Sequence, residues 1–217
     1  MLDREGGATS SPRLRDEARG LSRQGSRKPS AFARAAHPYP ANFEDKTMTS
    51  RIENKPFNGV RTEVTTSVGF DDVLSRLRDQ MGRATVQEVV ALAKTPITEA
   101  DYIREVEQRF VGESGFMLFA ELDHGGWLPK FGINRRTVRW ILGNPLIAVT
   151  MIRHDITAGL FAPVELLVTE AEAGEGAVVT YVRPSTQMVI ADNPPLLAAA
   201  QALDEKYDAL VARATTP

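Results

Sequence analysis

Residues 137–152 read Thr137-Val138-Arg139-Trp140-Ile141-Leu142-Gly143-Asn144-Pro145-Leu146-Ile147-Ala148-Val149-Thr150-Met151-Ile152. The first six alternate, with Val138, Trp140 and Leu142 on one face, and that period of two predicts a strand. Asn144-Pro145 then predicts a helix start. Asparagine is an N-cap residue, and proline suits the first helical position, where its missing N–H costs nothing. The helix is expected to run through Leu146, Ile147, Met151 and Ile152 to about His154.

The same two periods extend outward from this point. Val60, Thr62, Val64, Thr66 and Val68 alternate with Arg61, Glu63, Thr65 and Ser67, which predicts a strand ended by Gly69. Asp71 and Asp72 supply the acidic first turn of a helix carrying Val73, Leu74, Leu77 and Met81, stopped by Gly82. Thr85 and Glu88 have the spacing of a capping box before Val86, Val89, Val90 and Leu92, and Pro96 ends that helix. Thr98 caps another, with Tyr102, Ile103, Val106 and Phe110 at helical steps. Phe116, Leu118, Ala120 and Leu122 return to period two, and His124–Lys130 is irregular. After Gly159, strands at about 164–170 and 177–183 flank Ala173-Gly174-Glu175-Gly176, a hairpin by turn chemistry. The apolar piece Met188-Val189-Ile190 precedes a last helix with Leu196, Ala200, Leu203, Tyr207 and Leu210 on one side. These elements predict an α+β fold, an antiparallel sheet with helices packed on one face.

The 217 residues are 42 % apolar and 25 % charged, with a net charge of −2 and no cysteine. Such a composition excludes collagen-like, wholly disordered and disulfide-stapled classes. Without cysteine there is no zinc-thiolate site, iron–sulfur cluster or thiol nucleophile. Aliphatic runs reach only five residues (89–93), short of the roughly 20 a spanning helix needs, and the start of the chain lacks the apolar stretch of a secretory signal. A cytoplasmic location and no membrane partner are therefore expected.

The mean charge conceals a division. Residues 1–47 hold nine Lys/Arg against six Asp/Glu, a net of +3, while the other 170 residues hold 17 against 22, a net of −5. The first segment is rich in Ser, Gly, Arg and Pro and has no apolar periodicity, so residues 1–57 are expected to be a disordered arm. The arm is read as a solvated extension, as a basic or targeting segment interrupted by acids, or as sequence upstream of a start at Met48. Residues 58–217 are expected to form one domain. Its negative charge argues against a nucleic-acid partner.

The order Gly115-Phe116, Gly143-Asn144-Pro145, Asp155, Gly159 and Pro163, then strand, hairpin, strand and final helix, resembles the domain-of-unknown-function family number 302. The resemblance spans about residues 60–212, with an apparent helical insertion at about 83–112. It implies a small domain similar to half of the TATA-box-binding-protein fold, often a homodimer, with no assigned chemistry.

Two candidate sites stand out. Trp127, Lys130, Arg135, Arg136, Arg139 and Trp140 combine cations with aromatic plates beside Gly125, Gly126 and Gly132, a pattern suited to a small anionic or planar ligand. Arginines on the solvated side of a strand and a core Trp140 account for the same residues structurally. Asn144 is included with the ligand-binding set because a helix N-terminus attracts anions, although capping alone explains it. His124 and His154 each adjoin an aspartate, Asp123 and Asp155, and imidazoles beside carboxylates suit a divalent metal or haem. A histidine at a strand end and another at a helix C-terminus need no metal to explain them. No nucleophile elbow, phosphate-binding loop, dinucleotide fingerprint or zinc-protease motif is present. The expected function is a dimer-forming, non-enzymatic module binding a small ligand. The alternatives are a metal- or haem-dependent enzyme or redox accessory protein using His124 or His154, and a structural interaction domain.

Overall fold

The computed structural model describes residues 50–217 apart from residue 173, so residues 1–49 of the arm expected over 1–57 lie outside the described residues. Alternation in the sequence sets the sheet. Six strands, β1 (Arg61–Thr66), β2 (Gly82–Arg83), β3 (Met117–Asp123), β4 (Thr137–Gly143), β5 (Val164–Glu170) and β6 (Ala177–Val182), lie in the order β1-β6-β5-β4-β3-β2. All neighbours are antiparallel except β2, which runs parallel to β3 at the edge. Trp140 stands opposite Leu166, and Leu166 opposite Tyr181. These three side chains therefore form one buried row on the same side of the sheet.

That side is closed by α1 (Phe70–Gln80), α5 (Pro184–Met188) and α6 (Pro194–Thr215). The apolar stripe read from the sequence of α6 is the stripe the fold buries. Leu196, Ala200, Leu203, Tyr207 and Leu210 are all in the core, as are Val73, Leu74 and Leu77 of α1. α4 (Pro145–Ile152) adds Met151 and, partly buried, Ile147.

The single helix layer expected from the sequence is incomplete. α2 (Val86–Ala93) and α3 (Glu99–Arg109) build a second cluster, in which Leu92, Val106 and Phe110 surround Met117 and pack Phe119. Leu118, between those two, packs with the main core, so period two puts the second cluster on the opposite side of β3. The capping box of α2 forms as read: the Thr85 hydroxyl accepts from the Glu88 amide at 3.2 Å, and Glu88 accepts from the Thr85 amide at 2.8 Å. Its apolar face does not match the reading, because Val86 and Val90 are exposed and only Leu92 is buried. A two-helix cluster at a sheet edge covers only one line of α2.

Gly82 does more than stop α1. Its amide donates to the Phe116 carbonyl at 3.0 Å and opens the parallel strand β2, which makes the sheet mixed rather than wholly antiparallel. A Cβ at Gly82 would lie 1.8 Å from the Phe110 carbonyl oxygen, so only glycine admits this approach. The apolar piece at 188–190 is also shorter than it looked, since Met188 ends α5 and Ile190 is exposed.

Two tyrosines share the core on unequal terms. Their rings meet edge to face at 4.6 Å. The Tyr181 hydroxyl donates to Asp208, and burial followed by that bond holds its phenol well above the usual tyrosine range. The Tyr207 hydroxyl is fully buried and has no hydrogen-bond partner among the described residues. Removing an unpaired buried hydroxyl costs nothing in hydrogen bonding. Tyr207→Phe is therefore expected to leave stability unchanged or raise it by up to about 1 kcal/mol, while Tyr181→Phe lowers it by about 1–2 kcal/mol. Urea unfolding of the two variants checks the contrast.

Candidate functional site

The cationic segment before and along β4 does not converge. Arg136 reaches across to α1, pairing with Asp71 (2.9 Å for one bond) and lying 4.3 Å over the Phe70 ring. Hydrogen bonding to Arg136 also lowers the Asp71 pKa. Arg135 donates to the Glu170 carbonyl at 2.7 Å and sits 3.6 Å from Glu172. Arg139 is on the outer side of the sheet, paired with Glu165, while Trp140 is wholly buried on the inner side. Each arginine thus has a partner already. Lys130 is exposed and has no ion pair among the described residues.

Trp127 is 46 % exposed and forms an edge-to-face chain with His124 (5.7 Å) and Phe131 (6.0 Å) at the turn after β3. Asp123 accepts from the Gly126 amide at 3.1 Å and fixes that turn. A cleft between α1 and this loop is lined by Arg78, Arg135, Arg136, Glu121, Asp123 and Asp71 among others. Its cations face acids, with Arg78 bonded to Glu121 at 2.6 Å. It does not include Trp127, Lys130 or Arg139.

The two histidines belong to different regions. His124 follows β3, beside the start of β4. His154 follows α4, which grows from the other end of β4, and its carbonyl accepts from Asn193 at 3.3 Å. Asp155 caps the 3₁₀ turn 156–161, accepting from the Thr157 amide at 2.8 Å. Bonds from the Thr157 hydroxyl and amide lower its pKa. Among the described residues, no group of three or more His, Asp or Glu side chains could hold a metal ion.

Asn144 is the predicted residue with the most structural work. It is 9 % exposed; its Oδ1 accepts from the Leu146 amide at 2.8 Å, and its Nδ2 donates to the Gly115 carbonyl at 2.9 Å. Its own carbonyl accepts from Ile147 and Ala148. Pro145 has no N–H, so the first turn of α4 has no free donor left for an anion.

Beside Asn144 lies an apolar cavity of about 200 Å³, open to solvent on one side. Phe116 and Phe119 of the β3 region, Val89 of α2, Ala148 and Met151 of α4, and Pro163 form much of its wall. Gly143 permits the close fit there, since a Cβ would stand 3.1 Å from Pro163 and 3.3 Å from Phe119. The sequence signalled Gly143-Asn144-Pro145 but not the cavity, whose walls come from five separate segments.

Sequence reasoning also missed a polar junction between β6, α5 and α6. Asp204, buried in α6, accepts from the Ser185 amide (3.0 Å) and hydroxyl, and Arg183 bridges Asp204 (3.5 Å) and Asp208 (2.7 Å). Asp204 and Asp208 sit one helical turn apart on a charged helix, and in sequence such residues read as solvated.

A family model described as "Domain of unknown function DUF302" matches residues 93–214, more than half of the chain. The chain belongs to the DUF302 family. The resemblance carried by Gly143-Asn144-Pro145 and the strands after it is thereby borne out. Among solved structures, the fold is similar to the "Crystal structure of uncharacterized conserved protein DUF302 from Bacillus stearothermophilus". That match has a TM-score of 0.50 and 17 % identity, and it covers 71 % of this chain and 97 % of that one. A comparison with curated proteins gives no match. Among the described residues of this DUF302 chain, no helix is long and apolar enough to cross a membrane.

The double role of Asn144 gives two expectations. Asn144→Ala removes the cap and orphans the Gly115 carbonyl, lowering stability by about 2–3 kcal/mol. Asn144→Asp keeps the acceptor for Leu146 but sets a carboxylate oxygen against the Gly115 carbonyl with no counter-charge, so at neutral pH it is expected to destabilise at least as much as Asn144→Ala in the same unfolding measurement.

Proposed function

We propose that this domain is a dimer-forming binding module, in which two copies meet through the outer side of the sheet while each retains a site for a small ligand. The observation that carries the reading is the character of that outer side. Across β1, β6, β5, β4 and β3, register puts Val178, Val182, Leu167, Ile141 and Leu122 outward with several threonines. Its charges are Arg61, Glu63, Arg139 and Glu165, which form two ion pairs and sum to zero. A face so neutral and so rich in aliphatic groups suits burial rather than solvent or a polyanion.

A second copy fits this face by charge as well as by polarity. A two-fold axis brings the same two arginines and two glutamates against their opposites, and sheets pack face to face about 10 Å apart. Five strands about 4.8 Å apart and about 20 Å long outline on the order of 500 Å². α2 and α3 cover part of the β3 end of this outline, and a stable pair needs roughly 800 Å² per partner, so the loops beside the sheet contribute as well. Leu160, 80 % exposed, rims a groove of about 340 Å³ on this side and gives the partner an apolar anchor. The small ligand is not assigned to the Trp127–Arg139 segment, because its arginines are already paired and its residues lie on two sides of the sheet.

Light scattering over a range of concentrations tests the pairing. Wild type is expected at twice the chain mass, while Thr180→Arg and Leu160→Asp give the single-chain mass with little change in melting temperature. Ile97→Asp, at an exposed position before α3, leaves the mass doubled. A single-chain mass for wild type at high concentration, or a doubled mass for both face variants, overturns the reading.

A further inference from the structure

We infer that the cavity beside Asn144 is a binding site for a small uncharged molecule with a compact apolar body, about one aromatic ring in size, and one oxygen acceptor. This rests on the reading of the domain as a binding module but not on its pairing.

The argument for the apolar body begins with the walls. Phe116, Phe119, Val89, Met151, Ala148 and Pro163 present carbon to the space. The volume, about 200 Å³, exceeds the roughly 150 Å³ of a dry apolar cavity that accepts benzene. The pocket is open on one side, with Pro163 exposed and Val89, Phe119 and Ala148 only partly buried, so a ligand seated there takes apolar wall out of water and gains dispersion contacts with it.

The exclusion of charge follows from the same lining. No Lys, Arg, Asp, Glu or His side chain lines the cavity. The amides at the head of α4, which otherwise attract anions, are consumed by Asn144 or absent at Pro145. An ion seated here gives up part of its water and finds no counter-charge in the lining, a penalty that a neutral group does not meet.

The single oxygen acceptor follows from Asn144. Its Nδ2 carries two N–H donors, and Gly115 takes one. Asn144 is the one polar side chain of the lining and also borders the adjoining groove of Gly115, Leu146 and Lys206; a carbonyl or hydroxyl oxygen on the ligand is inferred to take the remaining donor. Both bonds that Asn144 already makes hold the amide in one orientation, so the donor is set before the ligand arrives.

The position of the cavity suits a bound molecule that is sensed by the fold. Phe116 belongs to the main core and Phe119 packs on the second cluster, so a ligand between them touches both.

The test uses the full chain with three probes of one ring size, p-cresol, toluene and benzoate, followed by methyl resonances of Ile147 and Met151 and by melting temperature. p-Cresol is expected to shift both resonances and raise the melting temperature, toluene to bind several-fold more weakly, and benzoate at least about tenfold more weakly than p-cresol. Ala148→Phe fills the space, so it should weaken p-cresol at least about tenfold while melting at or above wild type; Val89→Phe, from the opposite wall, is the second such variant. Absence of any shift with p-cresol and toluene at millimolar concentration overturns the site. Equal binding of benzoate overturns the exclusion of charge, and undiminished binding by both filled variants overturns the location. Light scattering on the same samples reports pairing separately, so the two proposals fail independently.

Discussion

The constraint on which the domain depends is the burial of one side of β4. Trp140 is the largest wholly buried side chain, and it lies in register with Leu166 and Tyr181. A row of that bulk cannot face water, so α1 and α6 must lie across it, and the stripe of α6 is spaced to do so. Arg78 reaches from α1 to within 5.2 Å of the Trp140 ring and pairs with Glu121 beside it, sealing the rim with a cation held over an aromatic face. The helix layer exists because this row does.

Because a strand has only two sides, filling one with bulk determines what the other shows. Arg139 and Ile141 point outward for the same reason that Trp140 points inward. The outer side is consequently a by-product of core patterning, modified at four charged positions that neutralise one another. α2 and α3 cover only its β3 end, where Met117 and Phe119 would otherwise be bare. The cavity beside Asn144 lies where that partial cover meets the main core.

Much of the architecture was legible in the sequence because the two periods are local properties. The strand at 137–142, the asparagine cap, the capping box at Thr85 and the stripe of α6 each need only a few residues to specify, and the structure has all of them. The two-residue β2 was not legible, since it depends on Gly82 meeting the Phe110 and Phe116 backbone more than 25 positions away. The exposure of Val86 and Val90 was hidden likewise, because apolar spacing states which face a helix prefers to bury and not how much cover the fold supplies. The candidate site was the least legible part. Arg135, Arg136 and Arg139 look like a cluster in one dimension, yet chain geometry sends them to different neighbours. The cavity walls have the opposite character, scattered in sequence and joined in space.

The short strand β2 also bears on how the molecule behaves when crowded. A sheet grows by adding strands to its margins, and a margin of two residues offers almost no ladder on which a newcomer can start. The other margin, β1, displays Arg61 and Glu63 among its six residues, which discourages stacking of identical edges. Among the described residues, both margins are thus poor starting points for further strands, one because it is short and the other because it carries charge.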